Sequence, residues 1–266
     1  MTKPMNVEEY LRRIGYTGSL AVTAETLRDL QLAHLRTVPF ENLSIHAGEP
    51  VVLEEEALFK KIVEQRRGGF CYECNGSFAG LLRALGFEVE MLAAGVARRE
   101  GGFGPVFDHM ALCVTLDERW LVDVGFGDSF LEPLLLDSRA EQVQGTQSFR
   151  IDAVDNYLIL LRRNEGEDWV PQYRFTSQPF GFPDYEEMCR FHQTSPESHF
   201  TQNVVCSRVK GDGRITLSGM KLVTTSGPQR IRDEQQLPTR AEYERVLREQ
   251  FGIVMKHELT LPPPPR

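Results

Sequence analysis

The stretch RGGFCYECNGSFAGLLRALGFEVEMLAAGV, residues 67–96, holds the turning point of the chain. From Cys71 onward, Cys74, Phe78, Leu81, Leu82 and Leu85 recur at helical spacing, and Gly86 supplies a stop. Beyond Gly86 the period falls to two, which predicts a strand over 88–96. A helix running into a strand here separates a helical first part from a strand-rich middle.

Upstream, the pattern predicts three more helices. The first covers 6–14, with Asn6 and Glu9 as a capping box, Val7, Tyr10, Leu11 and Ile14 at helical spacing, and Gly15 as the stop. The second covers 23–38 and ends at Pro39; the third covers 53–63 and is rich in Glu in its first turn. Downstream, a Gly-rich loop over 98–107 leads to strands over 109–116 and 120–124, joined by the turn 117–119. Strands over 148–153, 157–163 and 169–175 follow, a succession that suggests a barrel or sandwich. The last third mixes a helix over 184–192, with Asp184 and Glu187 as a capping box, a hairpin over 204–218, and a helix over 239–251 capped by Thr239 and Glu242. The expected class is α+β: an N-terminal helical bundle over 1–86, a central β-barrel over 87–183, and a C-terminal α/β lid with an interdomain helix over 184–266.

With 41% hydrophobic residues in 266, the chain can bury a substantial core without a metal or disulfide staple. A net charge of -8 argues against a nucleic-acid surface, although a local site can still be positive. No run of about 18 apolar residues spans a membrane, and the segment from Met1 to Glu9 has no apolar signal region. Five cysteines without the spacing of a disulfide framework fit a reducing cytoplasm.

In that setting Cys71 draws notice. Two glycines precede it and a helix follows it. Free N–H groups and positive potential at a helix start favour a thiolate, and glycines let a backbone or substrate approach closely. The plain alternative is a small apolar residue closing a helix. A nucleophilic thiolate needs a base and an orienter. His109 opens a strand, and Asp123 lies between Val122 and Val124, where a carboxylate is seldom buried unpaired. Each also has a structural reading, His109 as a satisfied strand residue and Asp123 as a carboxylate satisfied by turn amides. A simple hairpin register pairs Asp123 near Cys113, with His109 and Asp123 on one face but not opposite. Spacing permits the dyad without establishing it.

Several ordered motifs together resemble the arylamine N-acetyltransferase family over nearly the whole chain. They are His34-Leu35-Arg36-Thr37-Val38-Pro39-Phe40-Glu41-Asn42-Leu43, Arg67-Gly68-Gly69-Phe70-Cys71 with Glu73 and Asn75, His109 with the run from Val122 to Gly127, and Ser195-Pro196 with Phe200-Thr201. The resemblance implies a triad of Cys71 as nucleophile, His109 as base and acid, and Asp123 as orienter. It implies ping-pong acetylation of arylamines or arylhydrazines, with acetyl-CoA as co-substrate and no tightly bound cofactor. It further implies that Phe40, Phe126 and Phe200 line the acceptor site, and that Glu41 and Arg67 form a structural ion pair. By the same resemblance, Gly104, Asp108, Gly125 and Gly127 border CoA.

Asp108 departs from the pattern, since similar proteins usually carry threonine or serine before the histidine. Strand alternation puts it on the face opposite His109, at the end of the Gly-rich loop where CoA is expected. Three rival readings stand beside the resemblance. Cys71 and Cys74 with Cys189 and His192 could hold zinc. The same triad could serve a cysteine hydrolase, or an amide synthase that uses an arylamine-like chain end.

Overall fold

Local capping chemistry sets several helix boundaries in the computed structural model, which describes residues 5–227 and 229–261. Val7–Ile14 starts at Asn6, whose side chain accepts from the Glu9 N–H at 3.2 Å, and ends on left-handed Gly15. Ala24–Thr37 and Arg240–Phe251 begin in the same way at Thr23 and Thr239. Two boundaries differ from expectation. The helix expected over 53–63 is Glu55–Phe59 followed by a π turn, Lys60–Glu64, closed by the Gln65 N–H on the Lys60 carbonyl. The helix expected over 184–192 is Phe182–Thr194. Pro183 suits a first turn, so the helix begins before it. Asp184 is therefore not the cap but reaches back to the Gly181 N–H at 2.8 Å.

The helix Cys71–Ala84 is buried on every side from Cys71 to Leu82, not along one apolar stripe. Its neighbours explain this: helices pack on one flank, and the strands Glu88–Val96 and His109–Thr115 on the other. Those strands are thus covered on both faces, by this helix outside and by a second core inside the sheet.

That sheet has eight antiparallel strands, in the order Leu134–Leu135, Arg119–Val122, His109–Thr115, Glu88–Val96, Val170–Phe180, Tyr157–Asn164, Gln147–Val154, Gln142–Gln144. It curls into a nearly closed barrel, with Leu92, Phe130, Phe149, Leu160, Tyr173 and Phe175 in its interior core. Side chains span the remaining gap. Gln142 accepts from the Leu135 N–H at 2.8 Å, and Gln144 accepts from the Leu131 N–H at 2.9 Å. The edges are therefore satisfied without a continuous ladder.

A second sheet orders Phe40–Glu41, Val205–Lys210, Gly213–Ser218, Lys221–Ser226 and Ile231–Gln236, and Arg240–Phe251 packs with it around Leu43, Leu217 and Tyr243. Its first strand comes from the helical part of the chain, with Phe40 paired to Ser207. Among the described residues no helix is long and apolar enough to cross a membrane.

Candidate active site

The loop before Cys71 is held from behind by buried charges. Arg67 donates to Glu41 at 2.9 Å and to Ser44 at 3.2 Å, and Glu41 also accepts from the Leu43 N–H at 2.7 Å. Burial alone would raise the Glu41 carboxyl, but Arg67, Lys61 and the Leu43 N–H outweigh it and hold it below its ordinary range. Lys61, from the π turn, pairs with Glu73 at 2.6 Å, and Glu73 accepts from the Phe70 N–H at 3.2 Å. Gly68 is required here, because a Cβ would run into the Pro39 carbonyl. The Glu41–Arg67 pair expected from the resemblance is thus present, inside a larger network.

Facing this floor is the sheet wall. Cys113 pairs with Leu121 and Leu112 with Val122, so the register differs by two residues from the simple hairpin expected. A shift of two keeps Asp123 on the same face and brings it diagonal to His109. His109 Nε2 meets Asp123 Oδ2 at 2.7 Å, with both side chains buried. The other carboxylate oxygen accepts from Asn75 Nδ2 at 2.9 Å and from the Gly125 N–H at 2.8 Å. Asn75 also donates to the Met110 carbonyl and accepts from the Val124 N–H, so it ties the Cys71 helix to this wall. Gly125 packs so closely that a Cβ would sit 2.8 Å from the Cys71 Cα.

Cys71 and His109 border one cleft with Phe40, Phe126, Phe200, Asp108 and His192. The cleft holds ≈ 290 Å³, near the lower end of small-ligand sites. Burial pushes the Cys71 thiol well up, and the carboxylates of Asp108 and Asp123 act in the same direction against the Met110 N–H. The helix start does not by itself make a thiolate here, so ionisation has to be coupled to proton transfer. With His109 Nε2 engaged by Asp123, Nδ1 is the ring nitrogen available for that proton. Phe126 stands edge-on to the His109 ring with centroids 5.2 Å apart, and Phe200 lies 6.2 Å from Phe40.

A family model described as N-acetyltransferase matches residues 23–260. The pineal gland isozyme NAT-10 of arylamine N-acetyltransferase from Gallus gallus is 33% identical over 286 residues, covering 96% of each chain. The chain belongs to the arylamine N-acetyltransferase family. It is thereby an acyltransferase, and its fold agrees. The structure of Mycobacterium marinum arylamine N-acetyltransferase in complex with CoA superposes with a TM-score of 0.86 at 33% identity, covering 93% of each chain. The proansamycin X synthase of Amycolatopsis mediterranei is 35% identical over 236 residues, covering 85% of this chain and 90% of that one.

Within this arylamine N-acetyltransferase fold, the four residues expected at CoA separate. Gly125 and Asp108 border the Cys71 cleft, whereas Gly127 borders an adjoining groove that shares Phe40. Gly104 packs beneath the Asp108 carboxylate, where a Cβ would collide with it. Asp108 does not turn to the opposite face from His109. The strand begins only at His109, and Phe107 before it is left-handed at φ 71°, so alternation does not reach Asp108. The zinc reading finds no counterpart: Cys74 is turned onto the Gly69 carbonyl at 3.1 Å. Among the described residues no group of three or more His, Cys, Asp and Glu side chains is arranged to hold a metal.

Sequence reasoning gave no role to Asn75, which stood in the motif, nor to Tyr173. Tyr173 comes from the strand Val170–Phe180 and lies tilted against the His109 ring with centroids 5.1 Å apart. Burial, then the Asp123 charge, push its phenol well up, so it stays neutral beside the pair. His192 was considered only for zinc, yet it lines the cleft.

Proposed function

We propose that this protein moves the acetyl group of acetyl-CoA to the nitrogen of an arylamine or arylhydrazine, in two steps, through a thioester on Cys71. The carrying observation is the buried 2.7 Å contact of Asp123 with His109 on the cleft that Cys71 borders. His109 Nδ1 takes the thiol proton as Cys71 Sγ attacks the acetyl carbonyl. The imidazolium then returns the proton to the departing CoA sulfur. In the second step the amine nitrogen attacks the thioester and gives its proton to His109, the Cys71 sulfur leaves, and the imidazolium returns that proton to it, restoring the thiol and the neutral ring. Asp123 holds the tautomer with its proton on Nε2 and stabilises the imidazolium. The Cys71 N–H, at the helix start and without an intrahelical acceptor, is the donor we assign to the developing oxyanion.

Phe40, Phe126 and Phe200 supply flat apolar surfaces suited to an aromatic acceptor. For the donor we assign the adjoining groove, where Arg214, Arg230 and Arg232 stand with Ser207 and Thr216. Asp128 balances part of that charge, with Arg230 at 3.0 Å and Arg214 at 3.4 Å, and the excess suits the phosphates of CoA. In this reading segments 1–86, 87–183 and 184–266 each bring one part of the cleft: Cys71 and Phe40, then His109 and Phe126, then Phe200. The chemistry needs no tightly bound cofactor. A cytoplasmic setting suits five cysteines that are all free and buried.

The test is incubation with acetyl-CoA in the absence of acceptor, followed by peptide mapping by mass spectrometry. Acetyl on Cys71, discharged by added arylamine to give the N-acetyl product, is the expected result. Acetyl on another cysteine, or none on Cys71, overturns the reading. Rapid discharge to water without amine would favour the hydrolase alternative, and discharge only to a polyketide-like amine the amide synthase one.

A further inference from the structure

We propose that Asp108, held against His192, is a specificity-determining residue that disfavours acceptors carrying a negative charge. The inference rests on the arylamine reading above and concerns which amines that cleft admits.

The placement of Asp108 is built into the fold. Phe107 takes a left-handed conformation that a bulky residue seldom adopts, and its carbonyl is held by the Tyr72 hydroxyl at 2.6 Å. That turn swings Asp108 into the cleft instead of leaving it on the outer face. One carboxylate oxygen accepts from the Val96 N–H at 3.3 Å, and the other lies 3.2 Å from His192 Nε2. Gly104 leaves the space that the carboxylate fills.

The surroundings give the charge its reach. The cleft lining contains Asp108 and three histidines, His109, His192 and His199, but no lysine or arginine. Asp123 adds a second carboxylate behind His109. Two carboxylates thus stand at the site with no lysine or arginine in the lining to offset them. His192 is 6% exposed, and its Nε2 has no aligned hydrogen-bond partner among the described residues. Its Nδ1 lies 3.3 Å from the Ser198 hydroxyl. Without an aligned bond from this ring, the Asp108 carboxylate is left to act on the cleft. The same carboxylate borders the cleft with Cys71 and, after burial, acts to raise its thiol. An anionic substituent one ring-length from the attacking nitrogen meets like charge in a partly dry site, worth about tenfold in selectivity.

The experiment compares kcat/KM for 4-aminobenzoate with that for 4-aminobenzamide, which has the same shape and no charge. It is run on the unchanged protein and on Asp108→Asn, with acetyl-CoA as donor. The ratio of anionic to neutral acceptor is expected to rise about tenfold in the variant. Using a ratio cancels any effect on folding or on the acyl-enzyme step common to both amines. An unmoved ratio overturns the proposal. Asp108→Thr must move the ratio in the same direction, and a shift the other way overturns it as well. Should neither variant fold, the unchanged protein still decides: benzamide should protect Cys71 from alkylation at lower concentration than benzoate, and equal protection overturns the proposal. Failure of the unchanged protein to acetylate either amine is a different pattern. It overturns the arylamine reading, and this inference falls with it.

Discussion

His34 on the helical side and His109 on the sheet side lie in one molecule at 0% and 2% exposure, yet their surroundings are opposite. His109 has a carboxylate at 2.7 Å, and that carboxylate has two further donors. His34 packs between Tyr10 and Phe78, and neither ring nitrogen has a hydrogen-bond partner among the described residues. Burial, with Arg13 nearby, pushes the His34 imidazole down to about 3. Burial without a hydrogen-bond partner, with a cation nearby, turns this histidine into a neutral packing element. In the proposed reaction, the Asp123 partner is what would let His109 carry a proton. The same division holds for the charges. On the helical side Arg67, Glu41, Lys61 and Glu73 satisfy one another and fix the backbone before Cys71. On the sheet side the network leads to a ring bordering the cleft.

The most severe break of this comparison removes the charge that distinguishes the two rings. Asp123→Asn keeps an oxygen able to accept from Asn75 and the Gly125 N–H, but turns an amide N–H toward His109 Nε2. The imidazole must then carry its proton on Nδ1, the nitrogen needed as base. Acyl-enzyme formation is expected to fall about 10⁴-fold, the scale such tautomer errors reach, while the thermal melt moves far less. Stopped-flow thioester formation beside a melting curve checks both. A variant within tenfold of the unchanged rate would remove Asp123 from the chemistry.

Asp123 also marks the limit of what sequence displayed. The helix caps at Asn6 and Thr239 were legible because each is decided within four residues. Six of the eight barrel strands were legible from their alternation, and the triad candidates from motif order. The strand Phe40–Glu41 was not legible, since its partner Ser207 is far along the chain and two residues carry no period. Nor were Gln142–Gln144 and Ile231–Gln236, polar edge strands with no buried face to pattern them. Register is set by the neighbouring strand, so the two-residue offset of Asp123 was invisible, and with it the contact to Asn75. Asp108 was misplaced for a related reason: alternation was carried one residue beyond the strand that generates it.

On the helical side the equivalent break leaves a buried charge alone. Arg67→Met removes the partner that Glu41 has at 2.9 Å, with the Arg67 side chain 6% exposed and that of Glu41 0%. Losing one member of such a pair costs about 3–5 kcal/mol, so a large loss in urea midpoint is expected. Whatever fraction remains folded should acylate with a pH dependence like that of the unchanged protein, because Arg67 faces the loop and not the cleft. A stable variant with a displaced pH profile would mean that the two networks are electrostatically joined.

The smallest expected effect tests whether His34 is only packing. Its folded-state value of about 3 lies below the ordinary value of 6.5, so the unfolded chain binds a proton that the folded chain refuses between those limits. Stability therefore rises with pH across this window and falls on acidification. Between pH 7.5 and pH 5 the imidazole of the unfolded chain becomes almost fully protonated while His34 in the fold stays neutral, which removes about 2 kcal/mol. Replacing the ring by an apolar side chain of similar bulk abolishes this linkage, since nothing remains to titrate. Urea unfolding of His34→Leu and of the unchanged protein at both pH values should show the variant losing about 2 kcal/mol less on acidification. Other groups titrate equally in both proteins and cancel in the comparison. An equal loss in the two would mean that His34 finds a proton partner in the fold, such as water shared with Gln31 and Ser77, whose side chains are also buried without partners. The contrast with His109 would then be one of degree, set by how a buried ring nitrogen is satisfied and not by whether it is.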